Sequence, residues 1–405
     1  MAATLLSLFL AVLHELDRRE LGMSMLRMAR VPAVVVYGVV AAAAFACALA
    51  PSARRRAILL GAALIVAPLA LGPWAIALFA YAAAVIAIAR APVPIVARVA
   101  VSAVLWVAVP VARIVWLDGQ AQADTIPLAI VWAGQLYSAF YLVIEREREQ
   151  PALRSSVVAD AFYLLALPRL VAPFFQPISP RQLSRRERRQ FPARMIRRGA
   201  GLAAYAAFSA ALAWTLGDVA RQIEPRPVAL AVQFCGLYAR LTYTIFTAVA
   251  MFRLLGFDLP SGFRAPFLSR SFAEFFRRYN YYVRGAVLSL FYFPLLGRLR
   301  RGRTPRGATI LSAYIAILVG SFLLHDLLIP MSLAIEPSSI AGHYLDPVRV
   351  AGMLALWTLI IVPTAGIAPR RPPPTSRTRA ILSIAAFNVV YLVLWYAQHV
   401  GRGHL

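Results

Sequence analysis

Apolar runs of roughly 17–25 residues, the length of helix that crosses the hydrocarbon core of a bilayer, recur about ten times along the chain. They lie near 31–50, 57–72, 74–89, 94–117, 126–144, 198–216, 227–252, 307–325, 347–368 and 380–398, with shorter runs at 3–13, 161–175 and 285–296. An open sheet edge cannot satisfy its backbone groups in lipid, so each run is expected to be helical. The expected fold is all-α: a polytopic integral membrane protein with about 10–12 transmembrane helices plus re-entrant or interfacial helices. Composition points the same way, because 61% hydrophobic residues, 15% charged residues and a mean hydropathy of +0.70 leave too little polar surface for a soluble domain. The run at 3–13 lacks a preceding basic residue and is followed by HELDRRE rather than a small-residue cleavage site, so it is expected to stay in the chain.

The formal charge of +25 is concentrated in loops between the runs: ARRR at 53–56, RQLSRRERRQFPARMIRR at 181–198, GRLRRGRTPR at 297–306 and PRRPPPTSRTR at 369–379. This is the positive-inside pattern. It puts those loops in the cytoplasm and the loops of Asp118/Asp124 and Asp218–Glu224 on the other side. Nucleic-acid binding is not expected, since it calls for aromatics interleaved with basic residues on a folded soluble surface; membrane lipid is the expected partner of the arginines. All 42 basic residues are arginine, which excludes Schiff-base chemistry through lysine. Cys47 and Cys235 both fall in apolar runs, without disulfide or zinc spacing, and no glycine-rich phosphate loop occurs. No metal site and no tightly bound cofactor are expected. The arginine- and alanine-rich composition suits a GC-rich bacterial genome, hence a multi-pass protein of the bacterial inner membrane.

Polar side chains at membrane depth are costly and mark functional paths. His325 is the histidine that lies well inside an apolar run, beside Asp326; His14 and His343 sit at segment ends, and His399 and His404 near the C-terminal end. A lone buried histidine is more often a satisfied core residue than a catalyst. The other unusual stretch is SFAEFFRRYNYYVR at 271–284. Ser271 with Glu274 forms a capping box, so a helix is expected to start there. Phe272, Phe275, Phe276, Tyr279 and Val283 share one face, Glu274, Arg277, Arg278 and Tyr281 the other. Asn280 lies about 40° from Phe276, at the edge of the buried face, where an amide needs partners.

Taken together, MFRLLGFDLPSGFRAPFLSRSFAEFFRRYNYYVRGAVLSLFYFPLLG, 251–297, resembles the central signature of the membrane-bound O-acyltransferase (MBOAT) family. The likeness is nearest to the bacterial branch that O-acetylates cell-surface polysaccharide or D-alanylates teichoic acid. There GF-x-x-P-x-x-F-x-x-P-[YF]-L-S-x-S leads into F-W-R-R-W-[HN] and an apolar piece ending near Y-x-P-L-G. The matching positions are Gly256, Phe257, Pro260, Phe263, Pro266, Phe267, Leu268, Ser269 and Ser271, then Phe275, Arg277, Arg278 and Asn280, then Tyr292, Pro294, Leu295 and Gly297. GQLYSAFYLVIERER at 134–148 and LPRLVAPFFQPISPRQL at 167–183 resemble two further segments of the family, in the same order. The family's essential histidine follows in a later apolar helix, which matches His325. Phe276 and Tyr279 stand where relatives carry Trp, Asn280 where histidine is common, and Leu324 and Asp326 flank His325 in place of W-H-G.

The resemblance implies N-terminal membrane helices without a motif over 1–120, a catalytic core over 121–335 and C-terminal membrane helices over 336–405. It implies acyl transfer, acetyl or another short acyl, from a thioester to a hydroxyl of an envelope glycan, lipid or acyl-relay protein. The co-substrate is then coenzyme A or a carrier-protein pantetheine at the cytoplasmic face, and the acceptor a periplasmic protein or glycan. His325 takes the role of general base and Asn280 that of oxyanion donor. Arg277, Arg278, Arg284 and Tyr279 are the substrate-binding candidates, the arginines for the donor's phosphates. Two other classes stay open: a catalytically silent MBOAT-like scaffold in a polymer-modification complex, and a transporter or flippase. The latter wants inverted repeats or several intramembrane carboxylates, and the sequence offers neither.

Overall fold

The computed structural model describes residues 33–116, 126–148, 156–165, 178–187, 193–224, 226–271, 274–275, 278, 281–299, 305–320 and 376–400. Apart from one isolated bridge between Glu187 and Phe257, all regular structure among the described residues is helical. Helices occupy nine of the ten long apolar runs, in whole or in part; the tenth, 347–368, lies outside the described residues, as does the short run at 3–13. Four stretches among the described residues, Arg54–Arg90, Ile95–Ala112, Arg194–Gln222 and Val228–Leu254, are long and apolar enough to cross a membrane. Among the described residues the chain is all-helical, with the long apolar helices of a membrane protein.

By contact the chain divides into two compact units, Met1–Thr215 with Leu237–Ser261, and Leu216–Gly236 with Gly262–Leu405. The first contains α1 (Ala33–Leu49), α2 (Ser52–Leu71), α3 (Ala75–Arg90), α4 (Ile95–Trp116), α5 (Ile126–Arg148), α6 (Val157–Leu165) and α7 (Pro180–Arg186). Parts of α8 (Ala193–Gln222) and α9 (Arg226–Leu254) also belong to it. A single rod over the 37 residues of Arg54–Arg90 would be about 55 Å long, well beyond the hydrocarbon core. Gly72 breaks it: its φ of 58° is the left-handed region that glycine tolerates, and Pro73 follows. α5 packs against α3 and α4, and α6 lies against α2 and α3.

The outer and inner faces of this unit invert the pattern of a soluble domain. On α4, Val96, Val104, Val107, Val111 and Val115 recur at helical spacing and are all exposed, whereas Arg98 and Ser102 of the same helix are buried. An apolar exterior of this kind suits hydrocarbon rather than water. Side-chain hydroxyls on the apolar helices are mostly satisfied locally: Ser209, Thr242 and Thr247 each donate to the carbonyl four residues earlier, at 2.8–2.9 Å.

The second unit contains α10 (Tyr281–Val287), α11 (Phe293–Leu299), α12 (Pro305–Ile317) and α13 (Arg377–Val400). α10 and α11 are joined through a π-type segment, Leu288–Tyr292, and α12 runs on through a second at 318–320. The two segments meet. A Cβ on Gly320 would stand 2.9 Å from Phe291 Cδ2 and 3.1 Å from Val287 Cγ2, so any larger residue must displace these side chains. Gly320→Ala is expected to cost about 1–3 kcal/mol through overpacking, measured by thermal unfolding in detergent, with partial rescue by Val287→Ala. Gly285→Ala, where a Cβ meets open space, is the control and is expected to be neutral or slightly stabilising. Equal behaviour of the two variants would refute the close approach.

Candidate functional site

The signature stretch begins as a helix terminus. At the end of α9 the Gly256 N–H donates to the Arg253 carbonyl at 3.1 Å and the Phe257 N–H to the Phe252 carbonyl at 2.8 Å, the two bonds of a Schellman cap. Gly256 has φ 100°, the conformation that the cap's first residue outside the helix requires. The hydrophobic contact that completes such a cap is also present, since the Phe252 and Phe257 rings meet edge to face at 5.9 Å. Phe257 is fully buried against Phe162, and the Asp258 N–H donates to the Arg186 carbonyl at 2.9 Å. Arg253 Nε closes the turn on the Leu259 carbonyl at 2.7 Å. The Gly-Phe pair is thus what stops the helix and pins the following loop to α6 and α7.

In the second unit the loop of 262–271 is tied to the residues that follow it. The Tyr281 N–H donates to the Gly262 carbonyl at 2.8 Å and the Arg264 N–H to the Arg278 carbonyl at 3.0 Å. Ala265 sits in the left-handed region at φ 48°, a conformation that costs a non-glycine residue about 1–2 kcal/mol. The capping box forms: Ser271 Oγ accepts from the Glu274 N–H at 3.3 Å, while the Glu274 carboxylate reaches back one residue beyond the cap, to the Arg270 N–H at 3.0 Å. Phe275 is buried against Phe387 of α13, and Val283 is buried with Val287 and Ala316, as the expected apolar face requires.

Of the six site residues expected from the sequence, Asn280, His325, Arg277 and Tyr279 lie outside the described residues, as does Asp326. Arg278 is placed, and its guanidinium turns inward on its own chain. Its Nη2 donates to Glu274 at 2.7 Å, and its Nη1 lies 3.4 Å from the carbonyls of both Arg264 and Ala265. Arg284, one turn into α10, holds its guanidinium 6.0 Å from the Tyr281 ring centroid, the outer edge of cation–π range.

Burial pushes the Glu274 carboxyl up, but the Arg270 N–H and the Arg278 guanidinium outweigh it and hold it below its ordinary value of 4.5. A carboxylate whose folded value is depressed stabilises the fold above its unfolded value, and that stabilisation is lost as pH falls through the folded one. Acidification below about pH 4.5 should therefore loosen the Ser271–Arg278 turn. Glu274→Gln is expected to remove this acid-dependent part, about 1 kcal/mol or less for an exchange-exposed pair. Melting curves from pH 3 to 7 test it, and parallel profiles for wild type and variant would exclude it.

A second polar cluster, in the first unit, has no counterpart among the expected site residues. Asp160 of α6 is fully buried and accepts from two arginines: Arg90 at the end of α3, through Nε at 2.9 Å and Nη2 at 2.6 Å, and Arg146 near the end of α5. Beside it Arg98 of α4 pairs with Glu147 of α5 and donates to the Ala89 carbonyl at 3.0 Å. Arg56 of α2 pairs with Glu187 at 2.5 Å and donates to Ser184 of α7 at 2.7 Å. These bonds tie α3, α4, α5 and α6 to one another, and α2 to α7. A single carboxylate inside the otherwise apolar VVADAFYLL was the signal available in the sequence.

No protein-family model matches the chain, and no curated protein is significantly similar to it.

Proposed function

We propose that the protein is an MBOAT-type O-acyltransferase, a multi-pass protein of the bacterial inner membrane that moves a short acyl group from a thioester to a hydroxyl of an envelope glycan, lipid or acyl-relay protein. The motif run of 251–297 carries this reading. Its support is that four residues of the motif have a structural use: Gly256 at a positive φ, Phe257 in the cap contact, Ser271 as helix cap and Arg278 as a clasp on the preceding loop.

In the proposed reaction the acceptor oxygen attacks the thioester carbonyl carbon as His325 takes the hydroxyl proton. The carbonyl oxygen becomes an oxyanion, and the Asn280 amide donates to it. Collapse breaks the carbon–sulfur bond, and the thiolate leaves with the proton returned from His325. Arg277, Tyr279 and Arg284 would meet the donor. Arg278 would act on it indirectly, by fixing the loop. The donor, coenzyme A or carrier-bound pantetheine, is taken from the cytoplasmic side. Cysteines introduced at 181–198 and 297–306 should react in inverted vesicles and not from outside intact cells; reaction from outside would reverse the donor side.

The direct test is release of thiol and transfer of acyl from acetyl-coenzyme A by the purified chain. The second reading is a catalytically silent scaffold, favoured by Leu324 and Asp326 around His325 and by the inward commitment of Arg278. A folded chain that neither cleaves the thioester nor acylates any acceptor would select the scaffold.

A further inference from the structure

Three neutral side chains deep in the first unit carry polar atoms that no neighbour satisfies. Tyr81 of α3, Ser102 of α4 and Gln135 of α5 are 3%, 1% and 2% exposed, and Tyr81 Oη, Ser102 Oγ and Gln135 Oε1 have no hydrogen-bond partner among the described residues. A buried hydroxyl or amide oxygen left unmatched is costly. Ser102 makes the point most sharply. A serine in an apolar helix can donate to the carbonyl four residues back, as Ser209 and Ser289 do at 2.8 and 2.6 Å. Ser102 does not.

The register of the helices puts the three at neighbouring levels of the bundle. Trp106 of α4 and Trp132 of α5 exchange indole N–H donors for each other's carbonyls, at 3.0 and 2.9 Å, which puts residues 106 and 132 at one level. The Arg98–Glu147 pair shows that α4 and α5 run antiparallel. Moving one turn toward the arginine-rich ends takes α4 from Trp106 to Ser102 and α5 from Trp132 to Gln135. Each of these residues lies on the same face as its tryptophan, three or four positions away. The Tyr81 ring is 4.2 Å from that of Trp132. The Gln135 Nε2 is already used, donating to the Leu164 carbonyl at 3.0 Å, and Leu164 is one turn from Asp160 on α6. Its Oε1 has no partner among the described residues.

We infer that Tyr81, Ser102 and Gln135 form an internal water site between α3, α4 and α5. Two hydroxyls that donate or accept and one amide oxygen that accepts are within the two to four polar partners that hold a buried water. The site sits one level deeper than the Asp160 ion cluster, inside a bundle whose outer face is apolar. It is independent of the acyl-transfer reading.

The test uses the full purified chain in detergent. Radiolytic hydroxyl labelling read by mass spectrometry modifies side chains beside bound water even when bulk solvent does not reach them, so Tyr81 or Trp132 should be oxidised despite burial. Tyr81→Phe and Ser102→Ala should each lower the unfolding midpoint by a few degrees, and the double variant by clearly less than the two losses combined, since one water is lost once. Protected Tyr81 and Trp132 in the wild-type chain would overturn the inference. So would additive losses, or variants as stable as or more stable than wild type, as removal of an orphaned hydroxyl from a dry interior predicts.

Discussion

His325→Ala is expected to abolish acyl transfer from a thioester donor, by about 10²–10⁴-fold, in a chain that still inserts and folds. The size follows from the reaction. A hydroxyl is a weak nucleophile at neutral pH, and without a base its proton must leave to water that an apolar site excludes. Asn280→Ala is expected to lose about 10²–10³-fold, the effect of one oxyanion donor. Asn280→Asp should do no better, because a carboxylate repels the charge that the amide is there to receive. If both residues act on one transition state, as proposed, the double variant should fall well short of the product of the single losses. A core histidine without a chemical role predicts the reverse: His325→Ala lowers the yield of folded protein while the folded fraction keeps its turnover. Activity normalised to folded protein separates the two outcomes, and near-normal turnover would transfer the assignment to the scaffold.

Gly320 connects this prediction to described structure. It lies five residues before His325, and its contact with Phe291 and Val287 joins the chain leading to His325 to the helix that begins beside Asn280. If the pair acts together, Gly320→Ala should lower turnover beyond its loss of folded protein, and Val287→Ala should restore both in part.

Features set by neighbours in sequence were legible from it. Among the described residues, apolar runs of bilayer length became helices because a helix satisfies its backbone within the segment, whatever packs around it. The Ser271–Glu274 box was readable because both partners lie within one turn. Helix ends were less so: the run at 198–216 grew into Ala193–Gln222, since arginines at one end and Asp218 and Arg221 at the other prolong the helix in polar surroundings that hydropathy does not reward. The Gly-Phe pair was recognised as motif, but its work as a Schellman cap appears only once φ and the two bonds are known. Least legible was the Asp160 cluster, whose partners lie 14 and 70 residues away. No local spacing announces it.

That cluster gives the largest expected effect on stability. Asp160 is fully buried and faces two guanidinium groups, of which Arg146 is itself nearly buried. Removing the carboxylate leaves positive charge uncompensated in a medium that solvates it poorly, and losses of about 3–5 kcal/mol follow when one partner of a buried pair is deleted. Asp160→Asn is the informative variant, because it keeps shape and some hydrogen bonding while deleting the charge, and it should still fall in that range. The converse is equally specific. The intact cluster need contribute little net stability, since desolvation of three charged groups opposes their attraction, so Asp160→Leu combined with Arg90→Met and Arg146→Met should recover most of what Asp160→Asn loses. Denaturant unfolding of the purified chain, followed by tryptophan fluorescence, measures both. A single variant within about 1 kcal/mol of wild type would mean that water or lipid head groups screen the arginines and that the carboxylate is not what holds the ends of α3, α5 and α6 together.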